Sequence, residues 1–139
     1  MKPCLLGLDF GEKRIGVAVS DALYLTAQPR GFILNSGIKS ILEEIMTFFE
    51  MYGFCKIVLG LPLGLNDQET QQTQKVKSFK SQIEKNTSFE VVFHDESFTT
   101  KEAERILIQG GMSRKKRKNK IDAIAAQLML QSYMDQNPL

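Results

Sequence analysis

Within the run Leu5-Leu6-Gly7-Leu8-Asp9-Phe10 a single carboxylate interrupts an otherwise apolar strand, and whatever neutralises it constrains the rest of the fold. Leu5, Leu6, Leu8 and Phe10 do not alternate with polar residues, which is the pattern of a strand covered on both faces. A carboxylate buried there without a partner costs several kcal/mol even after relaxation, so something cationic must compensate Asp9. The strand itself holds no cation. The nearest, Lys13 and Arg14, lie across a tight charged turn, Gly11 to Arg14, that leads into a second apolar strand, Ile15 to Ser20. The two strands form an antiparallel hairpin. Either Lys13 or Arg14 reaches back to Asp9, or a metal ion stands beside it.

The rest of the chain supplies what covers that hairpin. A short third strand is expected around Gly31 to Leu34, after an irregular segment containing Pro29. A helix starts near Ser36, with Ile38, Ile41, Leu42, Ile45, Phe48, Phe49 and Tyr52 on one face and Gly53 as its stop. Lys56 to Gly60 reads as a buried strand turning at Leu61-Pro62-Leu63-Gly64. Gln68 to Lys85 is helical, with a thin stripe of Val76, Phe79 and Ile83. Phe89 to Phe93 is another buried strand, running into His94-Asp95-Glu96. Thr99 and Glu102 have capping-box spacing and open a helix that ends at Gly110-Gly111. A mobile loop of basic residues follows, and a last helix starts after Asn119 with Ile121, Ile124, Ala125 and Leu128 facing inward. This order predicts an α/β fold: a mixed five-stranded sheet, an antiparallel three-stranded meander plus two parallel strands, with helices on both faces. The 139 residues suffice for one domain, 1–139, and no linker divides them.

Charge is unevenly placed. The formal net charge is +2, yet Arg114, Lys115, Lys116, Arg117, Lys118 and Lys120 hold six of the eighteen basic residues. The remainder carries twelve basic against sixteen acidic residues, a balance of −4. A local basic run on an acidic remainder points to one anionic contact. The two cysteines, Cys4 and Cys55, each open a strand and read as small buried hydrophobes of a reducing compartment. With no signal-peptide pattern and no membrane-length apolar run, the expected location is the cytoplasm.

Under this topology three acids gather at one sheet edge, where open α/β sheets place ligands. Asp9 is near the end of the first strand, Glu96 follows the last with Asp95 beside it, and Asp122 is expected in the first turn of the last helix. Such acids repel one another unless a cation holds them, and oxygen-only ligands suit Mg²⁺ or Mn²⁺. Two such ions about 4 Å apart can activate water at a phosphodiester.

The stretches G-L-D-F-G-E-K-R-I-G-V-A-V-S, V-L-G-L-P-L, H-D-E-S-F-T-T-K-E-A and K-I-D-A-I-A-A, in this order, resemble the YqgF family, also called RuvX. Its members are described as Holliday junction resolvase-like proteins and as nucleases for the 5′ end of pre-16S ribosomal RNA. The resemblance covers nearly the whole chain. It implies an RNase H-like fold, a metal-dependent nuclease and Asp9, Glu96 and Asp122 as catalytic, metal-holding acids, with two Mg²⁺ or Mn²⁺ ions. Lys13, Arg14, Arg114, Lys115, Lys116, Arg117, Lys118 and Lys120 would contact the nucleic acid. The partners implied are pre-ribosomal RNA or its particle, or branched DNA, met by a monomer or a homodimer. Ser97 stands where the family commonly has arginine, and the loop after Pro62 lacks a glycine often found there.

Each residue also has a structural reading. Asp9 could form a hairpin salt bridge with Lys13 or Arg14. Asp122 could simply favour its helix N-terminus. Glu96 and Asp95 could be polar strand-end residues, Thr99 and Thr100 caps, and the basic run a solvated loop. His94 has no serine or cysteine nucleophile in a recognisable arrangement and reads as a satisfied strand-end residue. Two other function classes stay open. The D-F-G-x-K turn is similar to the phosphate hairpin of actin-like ATPases, which need a second similar half that this chain lacks. A non-catalytic ribosome- or RNA-binding module would use the basic run and not the acids.

Overall fold

The computed structural model describes residues 4–61, 70–95 and 105–138. The strands are β1 (Leu5–Phe10), β2 (Arg14–Ser20), β3 (Ala27–Leu34), β4 (Lys56–Leu61) and β5 (Glu90–Asp95). The helices are α1 (Ile38–Tyr52), α2 (Gln71–Asn86) and α3 (Arg114–Gln136), and residues 105–109 are also helical. One five-stranded sheet runs in the order β3-β2-β1-β4-β5. β1–β2 and β2–β3 pair antiparallel, and β1–β4 and β4–β5 parallel. This is the expected mixed sheet. Among the described helices none is long and apolar enough to cross a membrane.

Alternation along each strand divides the core in two. Leu6, Leu8, Ile15, Val17, Ile57, Leu59 and Val91 face one way, against Ile41 and Ile45 of α1 and Val76, Phe79 and Ile83 of α2. Leu5, Ala18, Ala27 and Val58 face the other way, against Ala126, Met129, Leu130 and Met134 of α3. The α2 stripe is therefore the expected one, and Thr70 caps that helix by a reciprocal bond with Thr73. α1 stops as expected at Gly53, whose N–H donates to the Phe49 carbonyl in a left-handed turn.

Four expectations are corrected. β3 is longer than Gly31 to Leu34 and includes Pro29 opposite Ala18, with a register shift between Gly16 and Ala18. Its place at the edge of the sheet is what makes a residue without an N–H tolerable there. The basic run is no loop, and α3 does not wait for Asn119. It begins at Arg114, and the Ser113 hydroxyl accepts from the Lys116 N–H at 3.4 Å. Lysine and arginine propagate a helix well, and the packed C-terminal half supplies the stability that their position near the N-terminus withholds. The inward face of α3 also differs. Ala123, Ala125, Ala126, Met129, Leu130 and Met134 are buried, whereas Ile121, Ile124 and Leu128 are only partly so. Finally, Cys4 is buried but Cys55 is exposed, its Sγ 3.4 Å from the Tyr24 hydroxyl.

The small residues have a geometric cause. A Cβ on Gly16 would fall on the Asp122 carbonyl, and one on Gly7 would lie 2.9 Å from Leu130 Cβ. α3 thus rests on β1 and β2 at backbone distance, which glycine alone allows. Polar bonds fix its position along the sheet. Gln131 accepts from the Ala27 N–H and donates to the Leu25 carbonyl, and Gln127 donates to the Ala27 carbonyl, all at 3.0 Å.

Candidate active site

The crossing of α3 over Gly16 is what assembles the site. Asp9 is paired with Gly16 across the β1–β2 ladder, so Asp9 lies on the face that α3 covers, as Leu5 and Gly7 do. The Asp122 backbone sits on that same Gly16. The backbones that carry a β1 acid and an α3 acid are therefore brought to one point of the sheet from opposite ends of the chain. Asp9 is half-buried, at the strand end where the apolar run gives out.

The turn that joins the two strands is held from two sides. Asn35 donates to the Gly11 carbonyl at 2.8 Å and takes up the Lys13 carbonyl at 2.9 Å through its own N–H. From α2, Gln72 donates to the Phe10 carbonyl at 3.2 Å and Lys75 pairs with Glu12 at 3.1 Å. The rigid elements flanking Asp9 thus set where its carboxylate can go.

Asp122 lies in the third turn of α3, not the first, so the helix N-terminus does not account for it. Arg14 Nη1 is 3.9 Å from Asp122 Oδ2, both side chains about one-third exposed (31% and 29%). That pair is long. Burial raises the Asp122 pKa above its ordinary value, and the Arg14 charge offsets only part of the rise. The Arg14 guanidinium also lies over the Phe32 ring, 4.8 Å from its centroid.

Glu96, with Ser97, Thr99, Thr100, Glu102 and the loop after Pro62, lies outside the described residues. Asp95 ends β5 and is exposed. Among the described residues no three His, Cys, Asp or Glu side chains stand close enough to hold an ion together. Asp9 and Asp122 offer carboxylate oxygens only, a donor set that fits Mg²⁺ or Mn²⁺ and needs a third ligand from elsewhere. His94 is satisfied, with Nε2 2.9 Å from the Ser132 hydroxyl and its ring edge-on to Tyr133.

The expected nucleic-acid contacts divide likewise. Lys13, Arg114, Lys116 and Lys120 are exposed. Arg117 is half-buried and donates to the Met112 carbonyl at 3.1 Å. The side chains of Lys115 and Lys118 lie outside the described ones. The part that two residues play at the site was not read from the sequence. Gly16 could have been found by counting the hairpin register back from the turn to Asp9. Phe32 carried no signal in sequence, because its role depends on what lies across the sheet from it.

A family model described as RuvX, Holliday junction resolvase, matches residues 3–136. A protein of Carboxydothermus hydrogenoformans named as a candidate pre-16S rRNA nuclease is 42% identical over 131 residues, 94% of this chain and 95% of that one. One of Syntrophus aciditrophicus with the same name is 43% identical over 94% of this chain and 87% of its own. Among solved structures, Thermus thermophilus RuvC in complex with a Holliday junction superposes with a TM-score of 0.59 at 15% identity, covering 99% of each chain. The fowlpox virus resolvase with Holliday junction DNA gives 0.56 at 17% identity, over 96% of this chain and 97% of that one. The fold is RNase H-like, and on the family match and these relatives the chain belongs to the RuvX family.

Proposed function

We propose that this chain is a metal-dependent nuclease of structured nucleic acid whose substrate is the 5′ end of pre-16S ribosomal RNA. The observation that carries the reading is the meeting of the Asp9 and Asp122 backbones at Gly16, on a helix whose first turns are basic. The relatives' names supply the substrate class. Asp9, Glu96 and Asp122 are the acids that would hold two Mg²⁺ or Mn²⁺ ions. When bound, the ions would lower the pKa of water and stabilise the leaving oxygen. Asp122, still burdened by burial despite Arg14, is a carboxylate that gains from a further cation. Lys13, Arg14, Arg114, Lys116 and Lys120 would hold the phosphate backbone in register, a role that carries no sequence information. Pre-ribosomal particles in the cytoplasm are the partner this implies.

Branched DNA is the second reading, favoured by the junction-bound resolvases that share the fold. Symmetrical cutting of a junction needs two sites related by a two-fold axis, hence a homodimer, whereas trimming an RNA end needs one chain.

The test is a Mg²⁺ and Mn²⁺ titration of cleavage on precursor RNA and on four-way DNA, with Asp9→Asn as control. Metal-dependent cleavage that Asp9→Asn abolishes, together with a metal-free melt no lower than the parent's, is the expected result. Cleavage unaffected by a chelator, or an Asp9→Asn variant as active as the parent, overturns it. A chain that binds RNA and cleaves neither substrate is a binding module.

A further inference from the structure

The row of residues that carries Asp9 across the sheet ends in an aromatic ring that the chemistry above leaves unused. Asp9 is paired with Gly16, and Gly16 with Phe32 on β3, so all three share the face that α3 covers. Two strand spacings place the Phe32 backbone roughly 10 Å from that of Asp9. Yet Phe32 is 36% exposed, and Leu34, two residues along the same face, is 57% exposed. The reason is geometric: β3 is the edge strand, and α3 crosses the row at Gly16. Ile33, pointing the other way, is fully buried in the main core. The strand is thus anchored without Phe32.

The ring is nonetheless held in place. Arg14 lies over it at 4.8 Å and also reaches Asp122 at 3.9 Å, tying the ring to the acid pair. Next to Arg14 in sequence, Lys13 is exposed on the hairpin turn, and Lys116 and Lys120 are exposed on the first two turns of α3. An aromatic face beside phosphate-binding cations and hydrolytic acids matches a strand of nucleic acid, which brings an anionic backbone and a flat base together.

Resting on the nuclease reading above, we propose that Phe32 is a stacking platform for an unpaired nucleobase next to the cleaved phosphate. Arg14 steadies one face of the ring, and the base takes the other. Phe32 therefore positions the strand over the acids and selects for single-stranded character at that nucleotide.

The chain has no tryptophan. Phe32→Trp therefore introduces a lone indole whose fluorescence reports stacking directly. Binding is measured without divalent metal, so that nothing is cut, using a short single-stranded oligoribonucleotide, the DNA of the same sequence, and each with one abasic position. Saturable quenching of the Phe32→Trp indole by the intact strand, weakened by the abasic position, is expected. Phe32→Ala and Phe32→Leu should bind about 10-fold more weakly than the parent, while Phe32→Trp keeps the affinity. Their salt dependence should match the parent's, because no phosphate contact is lost. Since Phe32→Leu keeps most of the bulk at an exposed edge, its melt controls for the fold. A parent that binds with no quenching in Phe32→Trp and no loss in Phe32→Ala overturns the platform and leaves the nuclease reading standing. A parent that binds neither strand also overturns the platform, while metal-dependent cleavage of precursor RNA by the same preparation keeps the nuclease reading standing.

Discussion

Under α1 and α2 the sheet presents Leu6, Leu8, Ile15, Val17, Ile57 and Leu59, and large side chains from both layers fill the space between them. Under α3 the positions Gly7, Gly16 and Ala18 meet Ala126 and Leu130, and the helix lies on the strands almost backbone to backbone. The first face carries most of the apolar burial that stabilises the fold. The second gives up apolar volume for position: at Gly16 the path of α3 determines where Asp122 stands relative to Asp9. Polar bonds from Gln127 and Gln131 to the β3 entry do on this side what interdigitation does on the other. One face can relax around a defect, whereas the other transmits it to the acids.

That contrast breaks most directly by damaging each face once. Ile45→Ala empties a fully buried site on the α1 face and should cost about 2–5 kcal/mol, read by denaturant unfolding. Its folded fraction should cleave at the parent's rate. Gly16→Ala puts a methyl where the Asp122 carbonyl lies, an overpacking that should cost about 3 kcal/mol and move α3 as a whole. Here cleavage per folded molecule should fall more than tenfold, and added stabilising osmolyte should restore folding without restoring the rate. Gly7→Ala, which meets a leucine side chain and not backbone, should lie between. Equal activity per folded molecule in all three would dissolve the distinction between the faces.

How far this was legible in sequence follows the same division. The α1–α2 face announced itself, because Val76, Phe79 and Ile83, or Ile41 and Ile45, recur at helical spacing against unbroken apolar strands. The hairpin and the end of α1 at Gly53 came from turn chemistry that is local, and the mixed sheet from the order of its elements. The α3 face did not announce itself. Apolar residues surround α3 between Ile121 and Leu130, so the expected inward set was Ile121, Ile124, Ala125 and Leu128; of these Ala125 is buried, and the glycines opposite favoured the alanines over the larger three. Cations in the first turn oppose the helix dipole and so read as a loop. Asp9 and Asp122 were recognisable as acids of the right kind; what brings them together is a contact between a glycine and a carbonyl, which no residue type encodes.

A finer test asks whether the bonds at the β3 entry matter to the site or only to stability. Gln131→Ala leaves the part-buried Ala27 N–H and the Leu25 carbonyl without their side-chain partner and should cost about 1–2 kcal/mol. If polar bonds fix the seat of α3, the variant also loses cleavage at fixed folded fraction, by less than Gly16→Ala does. A loss of stability alone would mean that the contact at Gly16 suffices to place Asp122.

The smallest expected effect concerns Asp122 itself and the balance between burial and Arg14. Burial raises its pKa in the folded chain above the ordinary 3.8, so as pH climbs past that value the unfolded state releases its proton first. Stability therefore falls as pH rises through the window between the two pKa values. Asp122→Asn removes the penalty along with the long Arg14 contact. With metal chelated, the variant should melt above the parent at pH 7, and the gap should close as the pH drops below about 4. Saturating Mn²⁺ should then reverse the order, because an ion that binds only the folded chain stabilises the parent, with its full set of acids, more than the variant. A variant that melts lower than the parent at pH 7 in the presence of chelator would make Arg14–Asp122 a structural salt bridge. In that case α3 would be held at Gly16 by charge as well as by contact, and Asp122 would have no need of an ion.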